Sequence, residues 1–256
     1  MRNNSMKRLL SAGDIALGMW ATLGSEMTIE IAATFAFDWI LIDCEHGQSS
    51  YESVPNLLRA LGDSSATSLV RVPSANNLSI FKRVLDAGAE GVLVPQVYDA
   101  KQVSRIVDAC RYPPKGSRGI ASSRAQKYGA DFFDTFTRSN DEILVIVQIE
   151  TKEAVENLEE IMSIDGLDAV FVGFADLSAA LGKPFDLESS EYKAAIDKVI
   201  SCTKKFEKPA GYYCGSYEEV KFRIKQGFQF VNICADQSLL IEGFKNSLDS
   251  MKQDQE

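Results

Sequence analysis

A histidine and an aspartate follow an apolar run that has the composition of a buried strand. The run covers residues 37–42, and it leads directly into a polar cluster that contains Asp43 and His46, the only histidine of the chain. In parallel α/β proteins the carboxyl ends of strands carry the chemistry. An imidazole at such a position suits a general base, and Asp43 belongs to the same candidate catalytic cluster. The alternative is a histidine with a purely structural hydrogen bond.

Two further acids come after apolar runs in the same way. Glu150 ends the run 145–149, and Asp176 follows the run 169–172 after a short turn. Hard divalent cations prefer oxygen ligands, and Mg²⁺ commonly keeps several waters beside one or two carboxylates. The two acids therefore predict a site for a divalent metal, with two solvated surface acids as the alternative.

An arginine and a glycine turn complete the set of candidate residues. Arg71 ends a short apolar strand, where its guanidinium could stabilise an oxyanion or bind a carboxylate. The alternative is a buried ion pair with Asp43. The segment 173–178 is typical of a strand that turns into a short helix, and its exposed N–H groups would bind a substrate carboxylate beside Asp176.

Eight apolar strands alternate with amphipathic helices along the chain. Eight such units in 256 residues predict an α/β protein with a (β/α)8 barrel; an open doubly wound sheet is the rival fold. The predicted strands are 16–19, 39–42, 68–72, 91–95, 144–149, 169–172, 210–213 and 230–233. The predicted helices are 51–61, 78–86, 100–109, 153–162, 191–206, 217–226 and 239–251.

No shift in composition marks a domain boundary, so residues 1–256 are predicted to form one domain. The stretch 111–137 is the one long irregular segment. Because it comes after the fourth strand, we expect it on the side where barrel loops carry function, as a lid or a subunit contact.

Composition and charge exclude several classes of protein. A net charge of −9 argues against a nucleic-acid partner. No apolar run is long enough to cross a membrane, and the start of the chain has no signal-peptide pattern, so we expect a cytoplasmic protein without a membrane partner. The five cysteines have no CxxC spacing and are expected to be reduced thiols.

The positions of the lysines bear on the type of chemistry. An aldolase that forms a Schiff base needs a lysine at or near a strand end on the catalytic side. No lysine lies within the eight predicted strands, and Lys208 precedes the seventh strand, at the wrong end of a barrel. This favours metal-stabilised enolate chemistry. No glycine-rich nucleotide motif is present either.

Taken together, these segments resemble the HpcH/HpaI family of class II, pyruvate-dependent aldolases, and the likeness covers nearly the whole chain. The matching segments are Phe37-Asp38-Trp39, Asp43-Cys44-Glu45-His46-Gly47, Arg71-Val72-Pro73, Lys82-Arg83-Val84-Leu85-Asp86-Ala87-Gly88-Ala89, Pro95-Gln96-Val97, Gly116-Ser117-Arg118-Gly119, Gln148-Ile149-Glu150-Thr151 and 173–178.

The resemblance implies a barrel of the phosphoenolpyruvate/pyruvate-binding type and reversible cleavage of a 4-hydroxy-2-keto acid to pyruvate and an aldehyde. It implies Mg²⁺, Mn²⁺ or Co²⁺ as the cofactor. The implied roles are metal binding by Glu150 and Asp176, proton transfer by His46, enolate stabilisation by Arg71, substrate binding by Gln148, Gly173, Ala175 and Asp176, and an effect of Asp86 on the basicity of the histidine. Asp86 is predicted near the end of a helix, so it would act across a subunit contact.

The resemblance also implies a homohexamer, built as a trimer of dimers, in which subunits exchange the last helix. One position departs from the family: Phe174 stands where proline is usual. This leaves the aldehyde half of the substrate open. Two alternatives to the aldolase are a CoA-thioester lyase of the same barrel superfamily and a non-catalytic metabolite-binding protein.

Overall fold

Eight parallel strands form a closed barrel in the computed structural model, which describes residues 3–253. Each strand pairs with its neighbours in sequence, and β1 closes the barrel against β8. This confirms the predicted (β/α)8 fold. The strands are β1 (Ala16–Ala21), β2 (Trp39–Asp43), β3 (Thr67–Arg71), β4 (Gly91–Val94), β5 (Leu144–Ile149), β6 (Ala169–Val172), β7 (Ala210–Tyr213) and β8 (Phe230–Ala235).

Helices cover the outside of the barrel. The predicted bounds of α4 and α11 match the structure, whereas the predicted helix 153–162 is divided at Asn157, where Lys198 Nζ binds the carbonyls of Val155 and Glu156. The helices are α1 (Ser5–Ala12), α2 (Glu26–Ala32), α3 (Val54–Ala60), α4 (Leu78–Asp86), α5 (Ala100–Cys110), α6 (Phe132–Glu142), α7 (Lys152–Glu156), α8 (Leu158–Met162), α9 (Phe174–Ala180), α10 (Ser190–Phe206), α11 (Tyr217–Gln226) and α12 (Asp236–Gln253).

Helix α1, which was not predicted, closes the end of the barrel where the strands begin. Met6 and Leu10 are buried in the same cluster as the side chains inside the barrel, such as Trp39 and Leu144. The Met6 N–H donates to Thr67 Oγ1 at the start of β3. This end of the barrel is thereby sealed, and the opposite end is left for a site.

The segment after α5 corrects the prediction made for residues 111–137. It joins helix α5 to strand β5, so it runs at the end where the strands begin and not at the catalytic end. It is also not irregular throughout, because it contains a 3-10 helix (Arg124–Gly129) and the first half of α6. The rings of Phe132, Phe136 and Tyr112 pack on one another and hold it in place.

Helix α12 is anchored at its first turn. The Asp236 carboxylate accepts hydrogen bonds from the Thr22 and Leu23 N–H groups at the end of β1. Beyond this turn the helix presents a series of exposed apolar side chains, which are Leu239, Leu240, Ile241, Phe244, Leu248 and Met251.

Candidate active site

Most of the predicted site residues converge on one pocket at the carboxyl ends of the strands. The pocket has a volume of about 190 Å³. It is lined by Trp20, His46, Arg71, Gln148, Phe171, Gly173, Phe174, Ala175, Asp176 and Tyr213. A larger cavity of about 490 Å³ lies beside the starts of β3, β4 and β5 and contains none of the predicted site residues.

Asp43 and Arg71 form a buried, two-pronged ion pair between adjacent strands. Arg71 Nε and Nη2 lie 2.9 and 2.5 Å from the two Asp43 oxygens. Burial alone would raise the pKa of Asp43 and lower that of Arg71. The hydrogen bonds and opposite charges of the pair outweigh burial, so the pKa of Asp43 is lowered and that of Arg71 is raised. Both groups are therefore charged, and the guanidinium still lines the pocket.

Trp20, which sequence reasoning missed, supports this pair from β1. Its Nε1 donates to Asp43 Oδ2 at 3.1 Å, and the Arg71 guanidinium carbon lies 4.9 Å from the centre of the Trp20 ring. Asp43 Oδ1 also accepts from the Glu45 and His46 N–H groups, which fixes the turn that carries the histidine. The position of Trp20 at the end of the first strand could have identified it as a candidate site residue.

Glu45, Glu150 and Asp176 form an acidic cluster beside the Asp43–Arg71 pair. Glu45 was not among the predicted site residues. Burial, assisted by the charges of Asp43 and Asp176, raises the pKa of Glu45 to about 7. Burial and the charges of Glu45 and Asp176 likewise raise the pKa of Glu150 to about 7. Arg71 Nη1 lies 3.0 Å from Glu45 Oε2 and opposes these effects. Negative charge thus exceeds positive charge at this point.

The turn after β6 holds Glu150 at close range. A Cβ atom on Gly173 would lie 2.3 Å from Glu150 Oε2, so any larger residue there would displace the Glu150 carboxylate. Gln148 Nε2 donates to the same oxygen, and the Gln96 N–H donates to Glu150 Oε1 at 2.6 Å. As predicted, Gly173 connects the strand to a short helix, α9, whose first turn contains Asp176.

The carboxylates of Glu150 and Asp176 are oxygen ligands that suit a divalent cation such as Mg²⁺. Among residues 3–253, no group of three or more histidine, cysteine, aspartate or glutamate side chains is arranged as a preformed metal site. Two carboxylates are sufficient for an ion that keeps water ligands. The excess negative charge around Glu150 and Asp176 supplies the electrostatic attraction for such an ion.

Two predicted site residues differ from the others in position: His46 is exposed at the rim of the pocket, and Asp86 lies outside it. The His46 side chain is 68% exposed at the pocket rim, with Nε2 4.0 Å from Glu45 Oε1. Asp86 lies at the end of α4, outside the pocket, and its carboxylate accepts a hydrogen bond of 2.6 Å from Arg118 Nη2. Within one chain, Asp86 therefore contacts Arg118 and is separated from the histidine.

The fold is a closed parallel barrel, and an arginine, a histidine and several acids lie at the carboxyl ends of its strands. These features define a class of barrel enzymes whose acidic sites can bind a cation. Comparison with known proteins identifies one family within this class of enzymes. A family model described as HpcH/HpaI aldolase/citrate lyase matches residues 16–243. The chain belongs to this family, which confirms the resemblance found in the sequence.

Two similar proteins with curated names are aldolases. The chain is 35% identical to 2-keto-3-deoxy-L-rhamnonate aldolase of Klebsiella pneumoniae subsp. pneumoniae, over 98% of this chain and 94% of that protein. It is 37% identical to hydroxypyruvate/pyruvate aldolase of Sagittula stellata, over 93% of both chains. The predicted activity class, an aldehyde-lyase that breaks a carbon–carbon bond, is confirmed.

Solved structures agree with the fold. A HpcH/HpaI aldolase/citrate lyase family protein of Burkholderia cenocepacia J2315 is 30% identical and superposes with a TM-score of 0.93, covering 98% of this chain and all of that one. In the part of the chain that the structure describes, no helix is long and apolar enough to cross a membrane.

Proposed function

We propose that the protein is a divalent-metal-dependent aldolase that cleaves a 4-hydroxy-2-keto acid to pyruvate and an aldehyde. The observation that carries the proposal is the pocket in which His46, Arg71, Gln148 and Asp176 meet at the strand ends, with Glu150 beside it. Glu150 and Asp176 would hold Mg²⁺, Mn²⁺ or Co²⁺. The bound ion would act as a Lewis acid on the keto oxygen.

The side chains of the pocket perform the remaining steps. Gln148 and the backbone at Gly173 and Ala175 orient the pyruvate half. His46 accepts the proton of the C4 hydroxyl, and the C3–C4 bond then breaks to release the aldehyde and the enolate of pyruvate. Arg71, held in its charged form by Asp43, stabilises the negative charge on the enolate oxygen. Protonation at C3 gives pyruvate.

The assembly of the protein is a second part of the proposal. We infer a homohexamer, as a trimer of dimers, in which α12 packs on another subunit. The exposed apolar side chains of α12 support this, because a long apolar helix face is normally covered. Asp86 would then act on the histidine of a neighbouring subunit. Light scattering on a sizing column tests the hexamer, and a monomer would contradict it.

The proposed compartment is the cytoplasm. This proposal is supported by the cysteines: all five are free thiols, and four of them are buried.

Pyruvate release from a panel of 4-hydroxy-2-keto acids tests the activity. We expect release with Mn²⁺, loss of release after EDTA, and recovery when the metal is restored. Full activity after verified metal removal would contradict the metal dependence. Borohydride with pyruvate should leave the enzyme active, because no lysine among the described residues lines the pocket.

Condensation with a CoA thioester is the second candidate. A solved structure of citrate synthase SbnG is 28% identical to this chain, with a TM-score of 0.86. The aldolases are more similar to the chain, at 35–37% identity. Citrate formation from oxaloacetate and acetyl-CoA, without pyruvate release from any 4-hydroxy-2-keto acid, would favour this candidate.

A further inference from the structure

One wall of the pocket is made of aromatic rings that the cleavage mechanism does not use. The Phe174 ring stacks on Tyr212, with centroids 6.0 Å apart and an angle of 19°, and its centroid lies 6.1 Å from that of Tyr213. Tyr213 in turn meets the Trp20 ring edge to face at 5.4 Å. The rings support one another, so Phe174 is held as a fixed surface of the pocket.

Phe174 lies directly beside the groups proposed to bind pyruvate. It is flanked in the chain by Gly173 and Ala175, and all three line the pocket. The aldehyde half of a keto-acid substrate must extend past the groups that bind pyruvate. The Phe174 ring lines the space into which that half would extend.

The charges around the pocket disfavour an acceptor with a carboxylate. Among the described residues that line it, Arg71 is the one permanent cation, and its guanidinium is already paired with Asp43 and Glu45. Glu45, Glu150 and Asp176 lie nearby, and a bound divalent ion would be shared with the carboxylate of pyruvate. Within one subunit, a second carboxylate at the far end of the substrate would therefore find no unpaired cation among the described residues that line the pocket.

The size of the pocket sets a further limit. Its volume of about 190 Å³ is below the range of roughly 300–1,000 Å³ that is usual for pockets that enclose larger ligands. Pyruvate takes part of this space, so only a short acceptor would be held wholly within the pocket.

We propose that Phe174 and Tyr213 form the acceptor subsite and select a short, uncharged aldehyde over one with a distal carboxylate. This assignment rests on the proposed aldolase function and names the substrate class of the same site. Phe174 is a specificity residue in this assignment, since it contacts the aldehyde half and not the keto acid.

Two four-carbon aldehydes test the charge preference in the direction of aldol addition. Butanal and succinic semialdehyde have similar length, but only the second carries a carboxylate. With pyruvate and Mn²⁺ saturating, we expect kcat/KM for butanal to exceed that for succinic semialdehyde by about tenfold or more, since a charge without a partner is costly to desolvate. Equal use of both, or preference for succinic semialdehyde, would overturn the assignment.

Phe174→Ala and Phe174→Leu test the role of the ring. We expect Phe174→Ala to lower kcat/KM for butanal by about five- to tenfold through loss of the aromatic contact, and Phe174→Leu to lower it less. Deuterium exchange into the methyl group of pyruvate, which needs no aldehyde, should stay within about twofold of wild type in both. The leucine variant retains an apolar side chain in case the alanine variant does not fold.

Three results would contradict the assignment in distinguishable ways. Unchanged kcat/KM for butanal in both variants would remove Phe174 from the acceptor subsite. Loss of methyl exchange in a folded variant would place Phe174 at the pyruvate half instead. Absence of methyl exchange in the wild-type enzyme with Mn²⁺ would overturn the proposed function together with this assignment.

Discussion

Replacing Asp43 by asparagine tests whether the buried ion pair holds the site together. Asparagine keeps the shape of the side chain and removes its charge. Asp43 accepts hydrogen bonds from two Arg71 nitrogens, from Trp20 Nε1 and from two backbone N–H groups. An asparagine NH₂ group placed toward Arg71 would set a donor against a donor. The Arg71 charge would remain buried with one carboxylate partner fewer.

The expected loss of stability follows from the burial of the pair. The side chains of Arg71 and Asp43 are 10% and 1% exposed. Removing one partner of a buried pair costs about 3–5 kcal/mol. Because Glu45 Oε2 lies 3.0 Å from Arg71 Nη1 and remains as a partner, we expect a value at the lower end, about 3 kcal/mol.

Urea unfolding followed by circular dichroism measures this loss. We expect Asp43→Asn to lower the midpoint with an unchanged m-value, and Asp43→Asn with Arg71→Met to regain part of the loss, since the unpaired charge is removed. Glu159→Gln is the matched control, because its pair with Lys205 is exposed and its removal should leave the midpoint unchanged. Equal midpoints for Asp43→Asn and wild type would refute the reasoning.

The same pair predicts how stability depends on pH. The Asp43 pKa is lowered in the folded protein because the hydrogen bonds and charge of Arg71 outweigh burial. A carboxylate with a lowered folded pKa stabilises the protein fully above its unfolded pKa, near 4, and this contribution is lost as pH falls through the folded pKa. The difference in stability between wild type and Asp43→Asn should therefore shrink in acid; a constant difference would contradict this.

Substitutions at three residues test the chemistry. His46→Ala should lower kcat about 10²–10⁴-fold with metal affinity retained; loss of the metal with a normal rate on re-addition would make His46 a ligand instead. Arg71→Ala should impair both cleavage and methyl deuterium exchange, and Arg71→Lys should restore little, since a point charge does not replace a planar fork; exchange at the wild-type rate would remove Arg71 from the enolate step. Gly173→Ala should displace Glu150 and weaken apparent Mn²⁺ affinity by about tenfold or more; calorimetry with unchanged affinity would contradict that role.

The sequence predicted the parts of the fold that depend on local pattern. The bounds of β5, β6 and β7 match the predicted strands, because buried parallel strands are continuous apolar runs. The candidate residues at the ends of β2, β3, β5 and β6 meet because parallel strands place their carboxyl ends together. The fold and most of the pocket were thus accessible from periodicity and strand ends, whereas Gln148 was indicated only by the family resemblance.

The features that the sequence did not predict depend on contacts between distant residues. Helix α1 buries only two side chains, and Asn4 fixes its start through hydrogen bonds to the carbonyls of Glu90 and Glu142. Helix α6 is rich in polar residues and shows no clear apolar stripe in the sequence. Its packing on Tyr112 was therefore not predicted. The pairing of Asp86 with Arg118 likewise joins residues 32 positions apart.

Trp20 links the two halves of the proposed site. Its Nε1 donates to Asp43 and its ring lies against Arg71, which fixes the position of the charge proposed to stabilise the enolate. The Trp20 ring also makes a T-shaped contact with Tyr213, which packs on Phe174. A change at Phe174 would therefore act directly on the proposed acceptor subsite, whereas a change at Trp20 would act directly on both that subsite and the Arg71 charge. Strand β1 thus supplies none of the predicted catalytic groups, yet it sets the position of the charge on which the proposed cleavage depends.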